Sequence, residues 1–157
     1  MKFNLALRNL LIVLFGALVL SACSTAKKSD LSGDVYTGKE TIEYLAKGVP
    51  DRVFFATNKS SLTTRSRDTL RKQATYLRKN KDLTVTIEGH ADERGTREYN
   101  LALGERRANA AKDYLMTYGV SGKRISVISY GKEKPVNPAS SPLAWSQNRR
   151  SVTIKAN

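Results

Sequence analysis

Two interleaved periodicities limit what this chain can become. Leu83, Val85 and Ile87 alternate with Thr84, Thr86 and Glu88, the period of two of a half-buried strand. On either side the period lengthens. Leu70, Ala74 and Leu77 recur at i, i+4 and i+7, the core face of a helix that starts behind Ser61 or Thr63 as N-cap and ends near Asn80. Leu101, Ala108, Ala111, Leu115 and Tyr118 mark the inner face of a second helix, which Gly119 is suited to close. Arg52-Val53-Phe54-Phe55-Ala56, Ile125 to Tyr130 and Ser151 to Lys155 read as further strands. Pro135, Pro138 and Pro142 break the stretch before the last strand, leaving room for one helical turn around Leu143 to Gln147. The order is β-α-β-α-β-(turn)-β. Two long helices can cover only one face of four strands, so the expected fold class is α/β (α+β): a two-layer sandwich, a four-stranded mixed sheet with both helices on one face.

That unit is expected to occupy residues 50–157. Ahead of it, Lys2 and Arg8 accompany an apolar run from Leu10 to Leu20, too short for a comfortable membrane span of about 20 residues. The pattern is that of a secretory signal over residues 1–22. Leu20-Ser21-Ala22-Cys23 resembles a bacterial lipobox. That resemblance implies cleavage before Cys23 and acylation of its thiol and new amine with chains such as palmitate, each buried methylene contributing about 0.8 kcal/mol to the anchor. Ser24 stands where an Asp would favour inner-membrane retention, which points to the outer membrane. An ordinary signal peptide with an incidental cysteine is the alternative. Cys23 is the only cysteine, so no internal disulfide framework exists. Residues 23–49 are polar and small, and cannot bury enough apolar surface to offset the entropy of ordering. They read as a lipidated cysteine and flexible tether, with a short helix over Thr41 to Ala46.

The chain holds 27 Lys and Arg against 14 acids, a net charge of +13. Residues 1–22 contain two of those bases and no acid, so the remainder carries +11. Such a balance suits nucleic acid, anionic lipid head groups, an anionic polymer, or simply a solvated basic surface. Export and the lack of a basic–aromatic stacking pattern exclude nucleic acid from the expected partners.

The run from Thr86 to Asn100 contains Gly89-His90-Ala91-Asp92-Glu93-Arg94-Gly95-Thr96, and Arg107 follows Asp92 by fifteen residues. A carboxylate on the loop leaving a strand and a guanidinium on the next helix can face each other across a small cleft. Such a cleft holds a ligand that carries both an ammonium and a carboxylate. The same residues allow a plainer account, in which Asp92 caps the helix and Arg107 pairs with it. His90 is the sole histidine, without a second histidine or available cysteine for a metal site, and reads as a hydrogen-bonded strand-end side chain. Asp92, Glu93 and Glu88 do not make a convincing catalytic pair, because Arg94, Arg97 and Arg107 favour their ionised forms. No nucleophile–base signature is present. The expectation is a binding module, with no catalytic residues, no metal and no cofactor.

The Gly89–Gly95 run, with Tyr99-Asn100 and Arg107, closely resembles the OmpA C-terminal-like domain family over about residues 50–156, and within it the lipoprotein branch of the Tol-Pal system. The resemblance implies non-covalent binding of the diaminopimelate-containing peptide of peptidoglycan, Asp92 meeting the ammonium and Arg107 the carboxylate. Phe54 to Lys59 aligns with a family segment in which backbone contacts from Ala56 and Thr57 survive, while Asn58 stands where Asp is frequent and supplies no second negative charge. Asn148-Arg149-Arg150 matches a closing motif in which Arg149 or Arg150 either lines the site or supports the sheet. A lipid-anchored domain in the periplasm, tethering outer membrane to wall and partnered by TolB, is the implied role, in envelope integrity and cell division. Two rivals remain: a wall-anchoring lipoprotein independent of TolB, and a peptidoglycan-cleaving enzyme.

Overall fold

The computed structural model describes residues 35–36 and 44–156. The expected signal peptide, Cys23 and most of the expected tether lie outside the described residues. Residues 31–157 form one compact unit. Among the described residues, every member of its central hydrophobic cluster falls between Val53 and Ile125, so this unit carries its own core.

Ahead of the main sheet, β1 (Tyr44–Ala46) and β2 (Val49–Pro50) make a small antiparallel pair. The helix expected over Thr41 to Ala46 is therefore corrected: Tyr44–Ala46 is strand. Leu45 is buried while Tyr44 is 62% exposed, the alternation of a strand, and Gly48 turns the chain at φ +74, a conformation open to glycine at little cost. Tyr36 is also buried, with its ring edge-on to Phe54 at 4.9 Å. Ordered contacts thus begin ahead of residue 50.

The main sheet comprises β3 (Arg52–Phe54), β4 (Val85–His90), β5 (Ile125–Gly131) and β6 (Arg150–Lys155), in the order β3-β6-β4-β5. β4 pairs parallel with β5, and β6 pairs antiparallel with both β4 and β3. The sheet is mixed, as expected. Two long helices, α1 (Thr64–Lys79) and α2 (Arg97–Thr117), supply Leu70, Ala74, Leu77, Ala108, Ala111 and Leu115 to the layer they share with Val53, Phe55, Val85, Ile87 and Ile125. A third, α3 (Pro142–Asn148), is the expected turn extended to seven residues, with proline in its first turn, where a missing N–H costs nothing. Among the described residues no helix is long and apolar enough to cross a membrane.

The caps explain where the helices start. Thr63 Oγ1 accepts from Ser66 N at 3.1 Å, and Ser66 Oγ donates to Phe54 O at 3.1 Å, fastening α1 to the end of β3. Thr96 Oγ1 accepts from Tyr99 N at 3.2 Å to open α2. At the far end Tyr118 is the cap rather than a core residue, exposed and stacked on Tyr114 at 4.9 Å. Gly119 follows it at φ +83.

One contact fixes α2 against the sheet. A Cβ on Gly89 would lie 1.9 Å from Gly104 O, and one on Gly104 would lie 2.8 Å from Gly89 O. Strand and helix therefore meet backbone to backbone, which only glycine at both positions permits. Arg107, one turn beyond Gly104, is thereby delivered to the end of β4.

Candidate functional site

Arg107 is wholly buried, yet among the described residues it pairs with no carboxylate by hydrogen bond. Its Nε donates to Lys59 O at 2.9 Å, Nη1 to His90 O at 2.8 Å and Nη2 to Ala56 O at 3.1 Å, with its guanidinium over the Phe55 ring at 5.3 Å. Three carbonyls in the 56–59 turn and at the end of β4 are thus tied to one helix. Burial, then repulsion from Arg149, pushes its pKa down to about 10, so it remains cationic at neutral pH. The pairing with Asp92 that the sequence allowed is not the one formed.

Asp92 lies two residues beyond β4 and is buried. Its Oδ1 accepts from the backbone N and the Nε of Arg94, both at 3.1 Å, and its Oδ2 from Arg94 Nη2 at 2.7 Å and Arg149 Nη1 at 3.2 Å. Burial opposes ionisation here, but the bonds from Arg94 and Arg149 outweigh it and hold the carboxyl below its usual range. Asp92 is therefore an anion at neutral pH, engaged by cations of the protein itself. It does not cap α2; Thr96 does.

Arg94 links this carboxylate to an aromatic wall. Its guanidinium sits 4.3 Å from the centre of the Trp145 ring and its Nη2 reaches Thr57 Oγ1 at 3.4 Å. Trp145 Nε1 donates to Glu93 Oε1 at 2.8 Å, and Ser140 Oγ donates to Glu93 Oε2 at 3.1 Å. These two bonds, Trp145 first, hold Glu93 below its usual pKa. Between them Val35, Thr57, Arg94, Pro142, Trp145, Ser146 and Arg149 line a concavity of about 300 Å³. The sequence signal for Trp145 was weak: the only tryptophan of the chain, in a proline-broken segment.

The remaining candidates divide. Arg149 belongs here: its Nε donates to Phe55 O at 3.1 Å and its Nη1 reaches Asp92. Its neighbour Arg150 reaches Asn148 O and Lys134 O instead, as adjacent residues on an extended chain point to opposite sides. Ala56 O is occupied by Arg107 and by Lys59 N. Asn58 is exposed at φ +54, a left-handed position that asparagine tolerates better than most residues. His90 is buried, with Nε2 3.3 Å from Glu88 Oε2 and its ring stacked on Tyr130. Burial, and then Arg150, Lys134 and Arg52, push its pKa down to about 3. It is a neutral strand-end side chain.

Chemically, the end of β4 offers one ionised carboxylate set among guanidinium groups, beside an indole wall. That combination is chemically able to meet paired charges on a small zwitterionic group.

Comparison with known proteins gives the family and the fold. Residues 54–149 match the OmpA family. A peptidoglycan-associated lipoprotein of Rhizobium meliloti (strain 1021) is 46% identical, over 96% of this chain and 89% of its own. One from Brucella melitensis is 41% identical, over 96% and 94%. The crystal structure of the peptidoglycan-associated lipoprotein from Burkholderia pseudomallei superposes with a TM-score of 0.66 at 37% identity, covering 68% of this chain and 90% of that one. The C-terminal domain of Helicobacter pylori MotB, at 21% identity and a TM-score of 0.64, shares the fold. The chain belongs to the OmpA family and, within it, to the peptidoglycan-associated lipoproteins.

Proposed function

We propose that this protein binds the diaminopimelate-containing peptide of peptidoglycan, as an outer-membrane lipoprotein acylated at Cys23, and couples membrane to wall within the Tol-Pal system. The observation that carries the reading is the ionised, buried Asp92 ringed by Arg94, Arg149 and Arg107. A peptide-linked diaminopimelate carries an ammonium and a carboxylate on the same distal carbon. The ammonium exchanges with the Arg94 guanidinium on Asp92, so the net gain is smaller than that of a new ion pair. Arg107 uses three of the five N–H groups of a guanidinium on carbonyls; wholly buried as it stands, it offers the one left on each terminal nitrogen to the ligand carboxylate once the Arg94 side chain gives way to the ammonium. Arg149 lies beside both. The backbone of Ala56, Thr57 and Asn58 forms the turn that Arg107 holds, and so shapes the cleft. Signal cleavage after residue 22, a tether to the folded unit and docking by TolB complete the proposal. The role is adhesion rather than catalysis: the carboxylates near the cleft are held ionised, unfit as proton donors at neutral pH.

Co-sedimentation with purified sacculi tests it. Asp92→Asn should weaken binding roughly tenfold or more while the domain stays folded. Wall of the lysine type, which presents the ammonium without the carboxylate, leaves a guanidinium unmatched at a cost on the order of 1–3 kcal/mol, about tenfold to a hundredfold in affinity. Undiminished binding by folded Asp92→Asn removes Asp92 from the site. Equal binding to both wall types removes the arginine from it. Retention of TolB on the immobilised protein separates the Tol-Pal role from simple wall anchoring.

A further inference from the structure

The cleft sits where β4 ends; the opposite end of the molecule, where β4 and β5 begin, has a different character. α1 turns Arg65, Arg67, Arg71, Lys72, Arg78 and Lys79 outward, all exposed, against one acid, Asp68. Two concavities flank its C-terminal half and share Thr75 and Lys79. The larger, about 820 Å³, lies against Gly48 and Val49 of the β1–β2 turn. The other, about 580 Å³, gathers Arg78, Lys79, Lys81 and Arg124 around Gly119 and Ser121, with no Asp or Glu in its lining. Asp82, exposed on the adjoining loop, offsets one of these charges.

Arg124 is held in place by donating to Leu77 O at 3.0 Å, Asn80 O at 2.6 Å and Leu83 O at 2.9 Å, so the basic group is built on a fixed floor rather than on loose side chains alone. The stacked Tyr114 and Tyr118 rings lie beside Arg67 and Arg71 on the same helical layer. Arg124 adjoins Ile125, which pairs with Val85 at the start of β4, whereas His90 at its other end adjoins the cleft. The six residues of β4 put the two regions roughly 17 Å apart along the sheet.

We propose that this end of the domain docks on an anionic phospholipid surface, with phosphate head groups taken by Arg78, Lys79, Lys81 and Arg124. A helix face bearing four to eight Lys and Arg is the footprint such a surface selects, each cation strengthening attachment about fivefold. Tyrosines at the edge of the patch suit the boundary between head groups and acyl chains. The choice of lipid over other polyanions rests on the reading of the protein as a membrane-anchored envelope protein. The domain then holds wall and membrane from opposite ends, and its attachment to the membrane extends beyond the acylated terminus.

The experiment uses residues 31–157, which carry their own core and no acyl chain. Sedimentation is measured with vesicles of phosphatidylcholine, with and without phosphatidylglycerol, over a range of salt. The protein should sediment only with phosphatidylglycerol-containing vesicles and be released as salt rises. Combining Arg78→Gln, Lys79→Gln and Lys81→Gln should weaken this by roughly tenfold or more. Removing three charges at the cleft end, with Lys59→Gln, Arg97→Gln and Lys134→Gln, should change it by less than about threefold. Sedimentation indifferent to phosphatidylglycerol overturns the proposal. So does an equal loss in both triple variants, which makes net charge the cause, and so does tighter binding to a random single-stranded oligonucleotide than to vesicles. Sacculus binding reports on the cleft alone and should survive the first triple variant, so the two readings fail separately.

Discussion

Arg107 and Arg124 do the same structural work at opposite ends of the sheet, in opposite surroundings. Each directs its guanidinium to three backbone carbonyls: Arg107 to those of Ala56, Lys59 and His90, Arg124 to those of Leu77, Asn80 and Leu83. Arg107 is sealed from solvent and has the ionised Asp92 in its field. Arg124 is only half-buried and faces Arg78, Lys79 and Lys81. The difference lies in what surrounds each staple. One end balances its cations with a buried anion, the arrangement on which the proposed selectivity for a zwitterionic group rests. The other gathers four cations with no Asp or Glu in the lining and Asp82 alone on the adjoining loop, which suits it to anions without fine discrimination.

That comparison can be broken by mutation. Arg107→Ala takes this donor from the carbonyls of Ala56, Lys59 and His90 and leaves a cavity, so it should cost about 3–5 kcal/mol, a large part of the stability of a domain this size. Its denaturation midpoint should fall accordingly, and its loss of wall binding cannot be read as loss of a contact unless folding is restored. Acidification should act on the cleft end next, because the only histidine lies there. His90 titrates near 3 when folded and near 6.5 when unfolded. Between those values the unfolded chain takes up a proton that the folded one refuses, so stability is full above about 6.5 and falls as pH drops, by about 2 kcal/mol at pH 5. Urea unfolding at both pH values measures this, and His90→Gln should flatten the dependence. The smallest effect is expected from Arg124→Ala, about 1–2 kcal/mol, since water can reach the carbonyls it leaves. Equal losses for Arg107→Ala and Arg124→Ala would erase the distinction between a sealed and an open staple.

The helices were legible because apolar spacing is local: Leu70, Ala74 and Leu77 mark α1 without reference to anything else. The reading failed at ends and in short segments. Tyr118 keeps the helical phase of α2, yet falls on its cap, where the sheet no longer covers it. Tyr44–Ala46 is too short for periodicity to separate strand from helix, and the nearby Gly48 and Pro50 were the better guide. At the cleft, Asp92 and Arg107 stood out through the likeness of their surroundings to a known family. Their actual partners did not, since Arg107 reaches back to residues 56 and 59 and Asp92 to Arg149. The Trp145–Glu93 bond joins residues 52 positions apart. No pattern in a single chain records such a meeting.

The position of β4 in the sheet has a mechanical consequence. It is an interior strand, laddered to β5 on one side and β6 on the other, and Asp92 stands just past its end. A load applied at Asp92 enters the fold lengthwise through this strand. To give way, both ladders must slide at once, because hydrogen bonds lying across the direction of pull share the force rather than opening one after another. A grip mounted on an edge strand would peel. Mounted here, the proposed grip would let go of its ligand before the sheet came apart.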